Sequence, residues 1–143
     1  MTSTKDFVYS GGVKKTAALR KPTEAELEIL TVLWDRGPST VRDVFEALPK
    51  GRGAIYTTVL KLMQIMTEKG LVVRREDQRA HVYAARVPRE QTQRQLLQDL
   101  MERAFGGSAL RMVQQALSGT RKASPQELAE IRRLLDNFER EKQ

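Results

Sequence analysis

The chain has 143 residues, 40% of them apolar, which is enough for one ordinary domain or two small domains with a buried core. It has no cysteine and a single histidine, His81, so disulfides, thiolate ligands and a Cys nucleophile are excluded, and a Ser triad or zinc site of the usual composition lacks partners. The 25 basic residues exceed the 18 acidic ones, and the net charge of +7 suits a polyanionic partner.

Neither a membrane-spanning segment nor a signal peptide is expected from the sequence. No apolar run approaches the ~20 residues that span a bilayer, and the N-terminus lacks the apolar segment of a signal peptide. The absence of cysteine is typical of a reducing compartment. We therefore expect a soluble, cytoplasmic protein that does not insert into membranes and that uses no metal or other cofactor.

The positive charge is unevenly distributed. Residues 23–49 contain two basic and six acidic side chains, whereas residues 50–86 contain eight basic and three acidic ones. Residues 1–21 contain five basic residues and one acidic residue. Because this segment also has Gly11-Gly12 and no apolar period, we interpret residues 1–21 as a disordered basic arm.

The first predicted helix covers Glu24–Arg36. Thr23 and Glu26 have the spacing of a capping box, in which each side chain bonds the other residue's backbone N–H. Gly37-Pro38 ends the helix. Its apolar face consists of Leu27, Leu30, Val32, Leu33 and Trp34.

A second, short helix follows a tight turn. Thr40 is its predicted cap, with Asp43 three residues later, and Pro49 and Gly51 end it. Two short helices so closely joined must cross, as in a helix-turn-helix. The apolar side is formed by Val41, Val44, Phe45 and Leu48.

The third predicted helix runs from about Ala54 to Lys69 and is closed by Gly70. Its apolar stripe, with spacings of three and four residues, is Ile55, Val59, Leu62, Met63 and Met66. The opposite, polar face is Thr57, Lys61, Gln64 and Glu68, with Thr58 at its edge. This face suits the reading of a DNA groove, and it equally suits a solvated helix surface.

A basic hairpin comes next and favours the DNA interpretation. Leu71–Arg75 and Ala80–Arg86 alternate as strands, and residues 76–79 form the predicted turn. His81 is a strand side chain in this pattern. Three arginines of the hairpin are candidates for phosphate or minor-groove contacts, although ordinary solvated charges explain each of them singly: Arg74, Arg75 and Arg79.

After Pro88 the pattern is helical only, with breaks at Gly106-Gly107 and Ser118-Gly119 and with caps at Ser108 and Ser124. Three short helices this rich in Leu, Met and Phe cannot cover their apolar faces alone. A second copy of the chain is the simplest cover, and a monomer that folds back is the alternative. The predicted dimerisation residues are Leu97, Leu100, Met101, Leu110, Val113, Leu117, Leu128, Ile131, Leu134, Leu135 and Phe138.

The predicted fold is therefore mainly α with a small β wing. Residues 22–87 form a winged helix-turn-helix DNA-binding domain, and residues 88–143 form a three-helix dimerisation domain. The expected partners are double-stranded DNA and a second copy of the chain. No arrangement of His, Cys or paired carboxylates indicates an enzyme.

Five segments resemble one known family. They are Thr23–Leu30, Leu33-Trp34, Val41–Val44, Tyr56–Met63 and Glu68–Val72. These residues resemble the penicillinase repressor family, the BlaI, MecI and CopY type of bacterial winged-helix repressors. The resemblance covers residues 22–141 and is densest in the third helix and the hairpin.

The resemblance implies a repressor that binds a short inverted-repeat operator, often built on TACA and TGTA, as a homodimer whose last three helices entwine. The third helix then lies in the major groove and the wing flanks it. With the residues chosen above, the predicted DNA-binding set is Ala54, Tyr56, Thr57, Thr58, Lys61, Arg74, Arg75 and Arg79.

The resemblance also concerns release from DNA. In the β-lactam branch, a membrane sensor and protease system cuts the repressor at an Asn-Phe bond, which aligns with Gln115-Ala116 here. The copper-responsive branch binds metal through cysteines, which this chain lacks. Two other departures are the long basic arm and Gln64–Met66, where relatives often carry basic residues.

Two other functions fit the same pattern. One is a protein-binding winged-helix adaptor whose C-terminal helices take a partner helix. The other is a winged-helix regulator that senses a small molecule between its domains. A hydrolase is the weakest alternative.

Overall fold

The computed structural model describes residues 21–49, 55–77, 80–119 and 123–142, the side chain of Asp77 excepted. Within these ranges the elements are α1 Glu24–Arg36, α2 Val41–Ala47, α3 Tyr56–Lys69, β1 Val72–Asp77, β2 Ala80–Ala85, α4 Arg89–Ala104, α5 Ala109–Leu117 and α6 Pro125–Lys142. The predicted mainly helical fold with a small β wing is confirmed.

The chain divides into two compact units, the first ending at Leu96 and the second beginning at Leu97. The α4 helix contributes residues to both. The predicted domains, residues 22–87 and 88–143, remain predictions. Most of the predicted basic arm, residues 1–20, lies outside the described residues.

Capping boxes start the first two helices, as predicted. The Thr23 hydroxyl accepts a hydrogen bond from the Glu26 N–H at 3.2 Å, and the Thr23 N–H donates to Glu26 Oε1 at 2.9 Å. Thr40 and Asp43 repeat the arrangement at 3.1 and 3.2 Å. These local bonds satisfy backbone donors that a helix end otherwise leaves unpaired.

The α3 helix buries one face and ends at Gly70, whose φ of +83° and ψ of +14° place it in the left-handed region that glycine favours. Its predicted start is wrong. Ile55 has an extended backbone, precedes the helix and is 58% exposed, although the periodicity placed it in the core. The 3.6-residue period does not apply to a residue outside the helix.

The hairpin differs from its prediction at the tip. Its antiparallel register pairs Val72 with Ala85, Glu76 with His81 and Asp77 with Ala80. Glu76 and Asp77 therefore belong to β1 rather than to the turn, because the ladder continues further than the apolar alternation. His81 is an exposed strand residue, as expected.

A short bridge ties the hairpin to the helix-turn-helix. The Ser39 N–H donates to the Tyr83 carbonyl at 2.9 Å, and the Tyr83 N–H donates back to Ser39 at 2.8 Å. The Tyr83 side chain is buried in a core to which the helices and the hairpin contribute. That core consists of Ile29, Leu30, Leu33, Val41, Val44, Leu48, Val59, Met63, Met66, Leu71, Val72 and Tyr83.

A buried ion pair connects the beginning of α1 to the end of α3. The Lys69 ammonium lies 3.0 Å from Glu26 Oε1 and 2.9 Å from Oε2. The Glu26 side chain is 2% exposed and that of Lys69 is 22% exposed. Each charge also lies at the helix end whose dipole it complements.

The start of α4 is attached to α1. Trp34 Nε1 donates to the Val87 carbonyl at 3.0 Å. The Arg89 guanidinium lies 5.6 Å from the centre of the Trp34 ring and forms an ion pair with Asp35. The one tryptophan of the sequence is thus a spectroscopic reporter of the first unit.

Many of the large apolar side chains of the second unit are exposed. Ser108 and Ser124 cap their helices as predicted, accepting from the N–H groups of Arg111 and Glu127 at 3.1 Å each. The described residues of α5 and α6 include none that is buried. No helix in the ranges given above is long and apolar enough to cross a membrane.

We expect Glu26→Gln to lower the free energy of unfolding of the first unit by about 1 to 3 kcal/mol, because Lys69 would keep a partly buried charge without its counter-ion. Glutamine can still accept the capping hydrogen bond from Thr23. Urea unfolding followed by Trp34 fluorescence measures the change.

The control is Glu68→Gln, which removes an exposed carboxylate next to Lys69 and should change stability by less than about 0.5 kcal/mol. Equal midpoints for the two variants would contradict a stabilising role of the ion pair.

Candidate nucleic-acid interface

The outer face of α3 carries polar residues that were predicted from the sequence to bind DNA. Thr57, Thr58 and Lys61 are exposed, whereas Val59 and Met63 on the opposite side are buried at 1% and 0% exposure. The buried side fixes the rotation of the helix about its axis, and the polar side is consequently presented to solvent. Ala54 lies outside the described residues.

The N-terminus of α3 differs chemically from those of α1 and α2. Ile55 precedes the helix and has no side chain that can cap it, and the first turn contains no acidic residue. In α1 and α2 this place is taken by a capping box with a carboxylate. The positive end of the α3 dipole therefore lacks the carboxylate that the other two helices carry there.

Tyr56, the first residue of α3, packs against α2. Its ring meets the Phe45 ring edge-on, with centroids 5.8 Å apart and an angle of 78° between the planes. The Arg42 guanidinium lies 5.4 Å from the Tyr56 ring centre. Arg42 was not among the residues predicted from the sequence to bind DNA, because it lies in a segment whose charge is acidic. The signal that the sequence offers is its place on the polar side of the short helix.

The arginines of the wing do not share one face. Arg74 and Arg75 are both exposed on β1, opposite Tyr83 and Val82 respectively. Because successive strand residues point to opposite faces of a sheet, the two guanidinium groups leave the hairpin on different sides. Arg79, the third predicted arginine of the wing, lies outside the described residues.

Two of the basic residues counted in the segment 50–86 have internal partners. Lys69 is paired with Glu26, and Arg86 Nη1 donates to the Gly70 carbonyl at 3.3 Å while its Nε is buried. Neither charge is presented freely to solvent. Among the described residues of this segment, the exposed cations are Lys61, Arg74 and Arg75.

A metal centre was not expected. Over the residues that the structure describes, no group of three His, Asp or Glu side chains is arranged to hold a metal ion.

Comparison with known proteins gives a family match and related regulators. The family model described as "Penicillinase repressor" matches residues 22–137. Two proteins named "Transcriptional regulator BlaI", from Mycobacterium tuberculosis strains CDC 1551 / Oshkosh and ATCC 25618 / H37Rv, are each 37% identical over 89 residues. The match covers 62% of this chain and 64% of each relative, less than two thirds of their length.

A solved structure also matches, titled "Mechanism for regulation of DNA binding of Bordetella bronchiseptica BpsR by 6-hydroxynicotinic acid". It is 19% identical, with a TM-score of 0.43, and the match covers 94% of this chain and 86% of that one.

The family match takes in most of the chain, including the whole of α3 and the wing. Both relatives are named as transcriptional regulators and the family as a repressor, which agrees with the prediction that the chain is not an enzyme. The family predicted from the five segments is confirmed as well, and this chain belongs to the penicillinase repressor family.

Proposed function

We propose that the chain is a transcriptional repressor that binds double-stranded DNA as a homodimer, at a short inverted-repeat operator. The observation that carries the proposal is the outer face of α3, where Thr57, Thr58 and Lys61 are exposed beside a basic wing. The similarity to regulators of the BlaI type supports the same function. Its place of action is the cytoplasm, where bacterial DNA lies.

Affinity and selectivity come from different residues in this proposal. Lys and Arg side chains contact phosphates, which gives affinity for any sequence. The short hydroxyl side chains of Thr57 and Thr58 reach base edges in the major groove, and Lys61 contacts an acceptor there or a nearby phosphate. Tyr56 lies at the start of the same helix.

The wing contributes from beside α3. Because Arg74 and Arg75 point to opposite faces of the hairpin, only one of them faces the DNA backbone for a given docking of the wing. The other remains solvated. Glu76, the next residue of β1 after Arg75, is exposed like the two arginines. Its negative charge limits how closely the strand approaches phosphates.

The second unit supports dimerisation. All of the predicted dimerisation residues except Met101 and Ile131 are exposed, and those two are half-buried. On α6, Leu128, Leu135 and Phe138 fall on one stripe at helical spacing. Most of the stability of a helix in a protein comes from packing of its apolar face, so a second copy is the cover that we propose.

A dimer also defines the shape of the operator. Two copies of α3, related by twofold symmetry and one helical turn of DNA apart, read two half-sites of an inverted repeat. Footprinting on the DNA upstream of the chain's own gene tests this directly, because a symmetric protected region is expected. Absence of any protected region would favour the protein-binding adaptor.

The membrane sensor and protease remain a prediction from the resemblance. Gln115 and Ala116, the residues at the aligned cleavage point, are exposed on α5. They differ from the Asn-Phe pair of the β-lactam branch. We therefore propose no cleavage at this bond.

We expect Lys61→Ala to weaken operator binding by about 1 to 3 kcal/mol, since it removes a cation from the proposed reading face. Fluorescence anisotropy on the footprinted duplex measures the affinity. Lys142→Ala, which removes the same charge from the end of α6, is the control and should bind as the unaltered chain does. Equal affinities for both variants would contradict the assignment of Lys61.

We expect Leu134→Arg to shift the chain from dimer to monomer, because a buried charge replaces an apolar contact between copies. Sedimentation equilibrium measures the mass. The control is Ala129→Arg, which introduces the same side chain on the opposite side of α6 and should leave the dimer intact. A Leu134→Arg variant that still sediments as a dimer would refute this interface.

A further inference from the structure

Arg42, on the first turn of α2, has contacts that hold its guanidinium beside the start of α3. Its side chain is 67% exposed. The guanidinium carbon lies 5.4 Å from the centre of the Tyr56 ring, and Nη1 lies 3.7 Å from Glu46 Oε2. Arg42 therefore connects the two helices of the helix-turn-helix at their solvent side.

The ring beneath Arg42 packs against α2. Tyr56 packs edge-on against Phe45, which is half-buried against the core. A cation over such a ring is attracted to its face, and the attraction limits the directions that the long arginine side chain takes. The N–H donors at the edge of the guanidinium are not consumed by this contact.

The carboxylate beside Arg42 holds it only weakly. The Glu46 side chain is 61% exposed, and the distance of 3.7 Å is long for a hydrogen bond. Exposed pairs one helical turn apart contribute a few tenths of a kcal/mol. A phosphate group offers oxygen acceptors in the geometry that a guanidinium donates to in pairs, and it can displace the carboxylate.

We propose that Arg42 is a DNA-phosphate contact of this winged helix, oriented by the Tyr56 ring and restrained by Glu46 until DNA displaces the carboxylate. The inference rests on the proposed function, because it takes duplex DNA as the partner of α3. It adds a cation from the segment that sequence charge alone marks as acidic. It also gives Tyr56 a second role, as the support of Arg42.

The first test is Arg42→Gln, measured by anisotropy on a random-sequence duplex and on the footprinted duplex over a series of salt concentrations. A lost phosphate contact should weaken binding about tenfold on both duplexes and reduce the slope of log K against log salt by about one. The control is Arg36→Gln, which removes an exposed arginine from the last turn of α1. It should change affinity less than twofold.

The second test isolates Glu46. If the carboxylate restrains Arg42, Glu46→Gln should tighten binding to the random-sequence duplex about twofold or more, and the gain should vanish when Arg42 is already glutamine. A gain that persists in the Arg42→Gln background would come from general electrostatics and would overturn the restraint by Glu46.

Arg42→Lys distinguishes charge from orientation. Lysine keeps the positive charge that contacts the phosphate but lacks the planar guanidinium over the ring. The salt slope should therefore stay that of the unaltered chain, and the affinity should lie between those of the unaltered chain and Arg42→Gln. Trp34 fluorescence confirms that each variant is folded. This variant keeps the proposal testable if Arg42→Gln fails to fold.

The outcomes separate the inference from the proposed function. If the unaltered chain binds neither duplex, the proposed function fails and this inference with it. If the unaltered chain binds DNA but Arg42→Gln matches Arg36→Gln in affinity and salt slope, only the role of Arg42 is refuted.

Discussion

The Glu26–Lys69 ion pair is the constraint on which the orientation of α3 depends. Glu26 is almost completely buried, so its charge is tolerated only because Lys69 and the Thr23 N–H surround it. One carboxylate thus completes the cap of α1 and holds the last turn of α3 at the same time. With its C-terminal end fixed and its apolar stripe in the core, α3 has a single rotation available, and that rotation presents Thr57 and Lys61 outward.

Different kinds of interaction stabilise the two ends of α3. At the C-terminal end, the Glu26–Lys69 pair is shielded from solvent, so salt and competing ions affect it little. At the N-terminal end, Tyr56 is held by an aromatic edge contact and lies under an exposed arginine. In the proposed mode of binding, the exposed Arg42–Glu46 pair at this second end gives way to a charged ligand, while the ring contacts of Tyr56 stay. The rigid end sets the geometry of the helix, and the exchangeable end faces the proposed partner.

Local features of this fold can be predicted from the sequence, whereas contacts between distant segments cannot. The boxes at Thr23 and Thr40 and the stop at Gly70 depend on residues within one turn, and all three are confirmed. Ile55 was misplaced because periodicity does not mark where a helix begins. The partner of Glu26 lies 43 residues away, and the Arg42–Tyr56 contact depends on how α2 crosses α3. The spacing of residues along the sequence indicates neither of these two contacts.

Charge along the sequence likewise differs from charge at the surface, because contacts between distant segments bury some ionic groups. Counting along the chain assigns eight cations to the segment 50–86, yet Lys69 and Arg86 have internal partners, so the surface is less basic than the count. The segment 23–49 counts as acidic, yet Glu26 is neutralised inside the protein and Arg42 projects from the surface. Since a polyanion responds to the cations that reach solvent, Arg42 on α2 belongs with Lys61 on α3 among the cations that it would meet. Both helices of the helix-turn-helix therefore contribute exposed positive charge.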